Sequence, residues 1–162
     1  MTIALVPGTY DPVTNGHLDV IERSAQIFER IIVGVSASPK KGGGPLFDLQ
    51  QRVGFVEEAT RRFDNVSVLP FDMLLVDFAV KVGAQIIVKG LRAVTDFESE
   101  FQQASLNYHL NPALETVFIM ATPYNMYLSS SMVKEIAVLG GSVRDWVMPS
   151  VEQALHEAFR PL

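Results

Sequence analysis

The sequence predicts an α/β protein: a five-stranded parallel sheet covered by helices on both faces. Five short apolar runs alternate with stretches whose apolar residues recur at helical spacing. The runs are apolar nearly throughout, the pattern of parallel strands buried on both sides. Residues suited to holding anions follow four of these runs, and ligands of such sheets bind beyond the carboxyl ends of the strands.

The first strand is "TIALV", and the helix after it places Leu18, Ile21, Ala25 and Phe28 on one face. "IIVGVSA" is the second strand. Beyond the low-complexity loop "SPKKGGGP", Leu49, Val53, Val56, Thr60 and Phe63 mark the next helix, and "VSVLP" is the third strand. From Met73 to Val82 the chain is apolar nearly all round, which predicts a buried helix, partly covered by another subunit. "QIIVKG" follows as the fourth strand, then a helix presenting Phe97, Phe101, Ala104 and Tyr108 on one side. "TVFIMA" is the fifth, with "TPYNMYL", a helix beginning near "SSSMVKE" and a last helix through "PSVEQALHEAF" behind it. The alternation is that of a Rossmann-like, doubly wound fold, with residues 1–162 as one domain and no internal repeat.

Composition narrows the function. With 48% hydrophobic and 19% charged residues, the chain reads as globular and unlike a disordered one. It has no cysteine, so disulfides, thiolate metal sites and cysteine nucleophiles are excluded, in keeping with a reducing cytoplasm. The opening "MTIALVPG" lacks the basic region of a secretory leader, and no apolar run nears the ~20 residues of a membrane helix. A net charge of −5 argues against a nucleic-acid partner but not against a small polyanion, which a few local cations can hold.

Four polar clusters carry the chemistry. In "GTYDPVTNGH", Gly8 allows backbone to approach a ligand, Thr9 offers a hydroxyl and an amide, and a helix cap is expected at Asn15 and Gly16. His17 then opens the first turn, where free N–H groups favour phosphate. A lone histidine there would be an ordinary helix start; with the glycines and the threonine it reads as a phosphate seat. Neither Walker A nor dinucleotide glycine spacing occurs in the chain. Lys40 and Lys41 sit on a glycine-rich loop that would ordinarily be a solvated surface, or else a flexible arm that brings an ammonium to a bound phosphate and closes over it. Lys89 and Arg92 flank Gly90 directly after a buried strand, as phosphate ligands or as partners for Asp96, Glu98 or Glu100. Ser129, Ser130 and Ser131 begin a helix; one serine suffices as a cap, and the acid of a capping box is missing, because Lys134 lies three residues after Ser131. No His/Asp/Glu cluster has protein-metal spacing, and His109 and His156 read as structural or surface residues.

Taken together, "GTYDPVTNGH", "KGLRAVTDFE" and "SSSMVKE" resemble the bacterial phosphopantetheine adenylyltransferases, nucleotidyltransferases with a T/H-x-G-H motif, over essentially the whole chain. The resemblance implies transfer of an adenylyl group from ATP to 4′-phosphopantetheine, giving dephospho-coenzyme A and pyrophosphate, the penultimate step of coenzyme A synthesis. It also implies dependence on Mg²⁺ carried with ATP and a homohexamer. By the same resemblance, Thr9 touches both substrates, and His17 contacts the phosphates and stabilises the transition state. Lys41, Leu75 and Lys89 serve phosphopantetheine. Tyr10, Gly90, Leu91, Arg92, Glu100 and the stretch Asn125, Met126, Tyr127, Leu128, Ser129, Ser130 and Ser131 hold ATP. Tyr10 stands where many relatives have Phe, Lys89 where some have Arg, and the "GGG" run leaves open whether Lys40 or Lys41 reaches phosphate. Two other functions share these residues: nucleotidyl transfer to another phosphorylated acceptor, such as nicotinamide mononucleotide, and non-catalytic nucleotide sensing.

Overall fold

Five parallel strands stand in the order β3-β2-β1-β4-β5 in the computed structural model, which describes residues 2–37, 44–92 and 94–160. They are β1 (Ile3–Gly8), β2 (Arg30–Ser36), β3 (Val66–Phe71), β4 (Ile86–Leu91) and β5 (Glu115–Met120). The helices are α1 (Asn15–Ile27), α2 (Leu49–Thr60), α3 (Leu75–Lys81), α4 (Val94–Leu110), α5 (Ser130–Val138) and α6 (Pro149–Ala158). The expected strands and helices are therefore present, in the expected order. Lys40 and Lys41 lie outside the described residues.

Each apolar run serves two cores, because successive strand residues point to opposite faces. Ala4 and Val6 of β1 join Ile31, Val33 and Val88 in one cluster with Val20 and Ile21 of α1, Val56 of α2, Val133 of α5 and Leu155 of α6. Leu5, Ile32 and Ile87 face the other way, against Val76, Phe78 and Ala79 of α3. There Phe71 stacks on Phe78 with ring centroids 4.6 Å apart. A strand with a polar residue at every second position could not satisfy both layers.

The chain winds outward from β1 through β2 to β3, then returns to lay β4 and β5 on the other side. The switch in direction therefore lies between β1 and β4. β1 pairs with β2 along its whole length, from Ile3↔Arg30 to Gly8↔Val35. With β4 it pairs only at Ala4↔Ile86 and Leu5↔Ile87. Beyond these rungs the two strands separate, and the crevice opens at their carboxyl ends, where such folds bind ligands.

Two helices keep an apolar side uncovered within the chain. On the Met73 to Val82 segment, Val76, Phe78 and Ala79 are buried, but Leu74 and Val80 are 60% and 62% exposed. On α4, Phe97, Phe101 and Tyr108 point outward at 48%, 56% and 57% exposure. One face of the sheet cannot enclose an all-apolar surface, so the far sides of these helices remain uncovered within the chain.

Helix α1 crosses β4 so closely that a Cβ at Gly90 would lie 2.9 Å from Cγ2 of Val20. Valine is stiff at χ1 and cannot swing aside freely. Gly90→Ala is expected to destabilise the fold by about 1–3 kcal/mol, the usual scale of overpacking. Urea denaturation measures this, and an unchanged midpoint would contradict so tight a crossing.

Candidate active site

The β1–α1 turn makes one wall of the crevice. Helix α1 is capped by Thr14, not by Asn15 or Gly16 as the sequence predicts: Thr14 is extended (φ −124°, ψ 166°), and its hydroxyl accepts the His17 N–H. The imidazole completes a reciprocal cap, its Nδ1 lying 3.0 Å from the Thr14 amide nitrogen. An amide N–H can only donate, so Nδ1 must offer its lone pair. The ring proton of the neutral imidazole is therefore on Nε2, leaving that atom as a donor. Burial lowers the His17 pKa to about 4, and the nearby charges of Arg92 and Lys89 act in the same direction. At neutral pH His17 is thus an uncharged hydrogen-bond donor.

Tyr10 packs beneath it, ring to ring at 5.0 Å in an edge geometry. The Tyr10 hydroxyl donates to the Val6 carbonyl at 2.9 Å, and burial raises its pKa. Its backbone is left-handed, φ 52°, a conformation that disfavours most L-residues. With the side chain committed to the core, Tyr10 can meet a ligand only through its main chain.

The opposite wall comes from β4 and the start of α4. Lys89 Nζ lies 3.2 Å from Glu100 Oε2, and Arg92 Nε donates to Asp96 Oδ2 at 3.0 Å. Arg92 also donates to the Leu128 carbonyl at 2.8 Å, which ties β4 to the loop after β5. The serine triplet is divided in its duties. Ser129 caps α5, accepting the Met132 N–H, so the position that would hold a capping-box acid is Met132. Ser130 donates to the Pro12 carbonyl at 2.8 Å, and Ser131 is exposed.

These pieces enclose a cleft of about 480 Å³. Of the residues singled out in the sequence, Thr9, Tyr10, His17, Lys89, Gly90, Arg92, Glu100, Asn125, Leu128, Ser129, Ser130 and Ser131 line it. Leu91, Met126 and Tyr127 belong to the same segments but are not among its lining. Leu75 packs at the edge of the cluster on the other face of the sheet, also outside the lining. Lys41 is not described.

Three residues that the sequence did not single out as site residues complete the arrangement. Asp11 and Lys134 both line the cleft and pair at 2.7 Å. Arg52, 2% exposed, donates to the carbonyls of Phe47, Thr9 and Ser36 at 3.0, 2.7 and 2.8 Å. It thereby clamps the ends of β1 and β2 to the entry of α2. Two of them had a signal. Lys134 lies one helical turn after Ser130, hence on its face. Arg52 precedes Val56 and Thr60 at four-residue spacing, on the stripe that α2 buries.

The described lining carries Lys89, Arg92 and Lys134, each paired with a carboxylate of Glu100, Asp96 or Asp11, so the cleft gathers three cations in an acidic chain. Its donors are a neutral imidazole, hydroxyls, three cations and two helix N-termini. Such a set can hold polyphosphate and stabilise charge that develops on it. Among the described residues, no group of His, Asp and Glu could hold a metal ion, and no helix is long and apolar enough to cross a membrane.

Residues 5–136 match the model of the cytidylyltransferase-like family, the class of nucleotidyltransferases that this fold and cleft define. The chain is 49% identical over 160 residues to a phosphopantetheine adenylyltransferase of Caldanaerobacter subterraneus subsp. tengcongensis, covering 99% of both chains. To a protein of the same name from Xylella fastidiosa it is 50% identical over 155 residues, covering 96% of this chain and 94% of the other. A solved structure from Vibrio parahaemolyticus, assigned as a nicotinate-nucleotide adenylyltransferase, superposes with a TM-score of 0.71 at 15% identity, covering 100% and 98% of the two chains. That likeness speaks for the fold alone. Within the cytidylyltransferase-like class, this chain belongs to the phosphopantetheine adenylyltransferase family.

The tautomer and low pKa of His17 can be measured directly. Imidazole nitrogen shifts should show Nδ1 unprotonated and Nε2 protonated, with protonation setting in only as pH falls toward about 4. A titration midpoint near 6.5 would contradict the burial of the ring beside Arg92 and Lys89.

Proposed function

We propose that this chain transfers the adenylyl group of ATP to 4′-phosphopantetheine, forming dephospho-coenzyme A and pyrophosphate. The observation that carries the reading is the meeting, at the β1/β4 switch, of the neutral His17 donor with Lys89, Arg92 and the serine-led start of α5. The choice of acceptor is supported by the two curated relatives, which share half of the sequence over nearly its full length.

A phosphate oxygen of phosphopantetheine attacks the α-phosphorus of ATP. The bond from that phosphorus to the bridging oxygen breaks, and the pair of electrons leaves with pyrophosphate. The attacking phosphate has a second pKa of about 6, so at neutral pH it needs no general base. Catalysis then consists of alignment and of holding negative charge. His17 donates from Nε2 to oxygens on the reacting phosphorus, entering the reaction as the neutral imidazole that burial favours. Thr9 and the Tyr10 main chain meet the substrates at the turn. Lys89 holds the phosphopantetheine side, and Arg92, Gly90 and the α5 start hold ATP. Mg²⁺ carried on the triphosphate would offset part of its charge, leaving His17, Lys89 and Arg92 as the chain's own donors to phosphate. The acidic groups lining the described cleft fit that mode, because Glu100 is 3.2 Å from Lys89 and Asp11 is 2.7 Å from Lys134.

The uncovered apolar side of α4, with Leu74 and Val80 nearby in sequence on α3's flank, supplies a surface for further copies of the chain. We assign it to the homohexamer that the resemblance implies, working in the cytoplasm.

Pure protein incubated with ATP, Mg²⁺ and phosphopantetheine should release dephospho-coenzyme A, and His17→Ala should lower turnover about 10²-fold or more, the scale of losing an oxyanion-type donor. Preference for nicotinamide mononucleotide would overturn the acceptor, and near-normal turnover of a folded variant would remove His17 from its role. Phe101→Asp should give smaller species in sedimentation; an intact hexamer would place the interface elsewhere.

A further inference from the structure

We infer that Asp11 is a positioning residue that acts through Lys134, holding its ammonium in the cleft that His17 and Arg92 also line. The inference rests on the adenylyl-transfer reading and extends it to a pair to which the mechanism above gives no role toward the substrates.

Asp11 is 6% exposed, and both carboxylate oxygens are engaged. Oδ1 accepts the Phe47 N–H at 2.9 Å; Oδ2 accepts the Leu46 N–H at 2.8 Å and the Lys134 ammonium at 2.7 Å. Burial opposes ionisation of this carboxyl, but Lys134 and the two amides outweigh it and hold the pKa below the usual value. The carboxylate is therefore charged at neutral pH and pinned by main chain that cannot swing away.

A lysine on a helix surface samples many rotamers, and fixing it is entropically unfavourable. Lys134 is held back from that sampling by a buried partner that two main-chain amides hold in place. The start of α5 is docked on the same turn a second time, through Ser130 and the Pro12 carbonyl. An ammonium has three N–H donors, and Asp11 takes one. The others remain for phosphate oxygens, so the pair places a cation without occupying it fully.

Charge counting alone makes the opposite prediction. Removing the Asp11 charge would make the cleft more cationic and tighten anion binding. Positioning predicts a loss of turnover despite the gained positive charge.

The test measures kcat and KM for wild type, Asp11→Asn, Lys134→Gln and the double variant, with pyrophosphate affinity by calorimetry. Each single change should lower kcat by about 10- to 100-fold, the scale of a misplaced reacting group. The double variant should be no slower than Lys134→Gln, because Asp11 acts through that lysine. An equal further loss from Asp11→Asn in the Lys134→Gln background would make Asp11 a mere staple for residues 46 and 47, and overturn the inference. Lys134→Arg keeps a cation for Asp11 and should recover part of the turnover that Lys134→Gln loses; no recovery overturns it too, even where Asp11→Asn fails to fold. Pyrophosphate binding needs no acceptor. An absent reaction therefore overturns the acceptor assignment, whereas equal pyrophosphate affinity in wild type and Lys134→Gln overturns this inference.

Discussion

The hydrogen bond from the Thr14 amide to Nδ1 of His17 is the contact on which the site depends. It does three things at once. It closes the cap of α1, where unpaired N–H groups must otherwise meet water or a ligand. It selects the imidazole tautomer and so turns the remaining N–H outward. It also penalises protonation, because a charged ring would set a donor against a donor. Glutamate in that position could close the cap, but it would bring a negative charge to the cleft in place of a neutral donor.

Around that bond the protein spends its buried polar groups on holding loops. Arg52 and Asp11 are both nearly inaccessible, and a buried charge is tolerated only when its hydrogen-bonding capacity is met. Arg52 meets it with three carbonyls, Asp11 with two amides and an ammonium. Each bonds to segments far apart in sequence, so the turn after β1, the entry to α2 and the start of α5 hold a common geometry. Pre-organisation of this kind is what a reaction between two bound molecules requires.

The sheet was legible because burial on both faces leaves a strong local mark: strands such as "IIVGVS" carry apolar residues at nearly every position. The general place of the site was legible for a related reason, since polar clusters at the ends of apolar runs must lie on one rim of a parallel sheet. Individual partners were not. The serines look equivalent in a row, yet one caps α5, one reaches Pro12 and one is exposed. Likewise, the spacing puts the apolar residues of α4 on one side, but only its neighbours in space decide that this side stays open.

By itself, the amino-acid sequence determined the strand and helix order and which segments end at the ligand rim, because periodicity and turn chemistry act over a few residues. Only the tertiary structure decided that Thr14 caps α1, that His17 is neutral with Nε2 free, and that Asp11 meets Lys134 across 123 positions of chain. Those outcomes depend on burial and on contacts between distant segments, and neither quantity is written in local sequence.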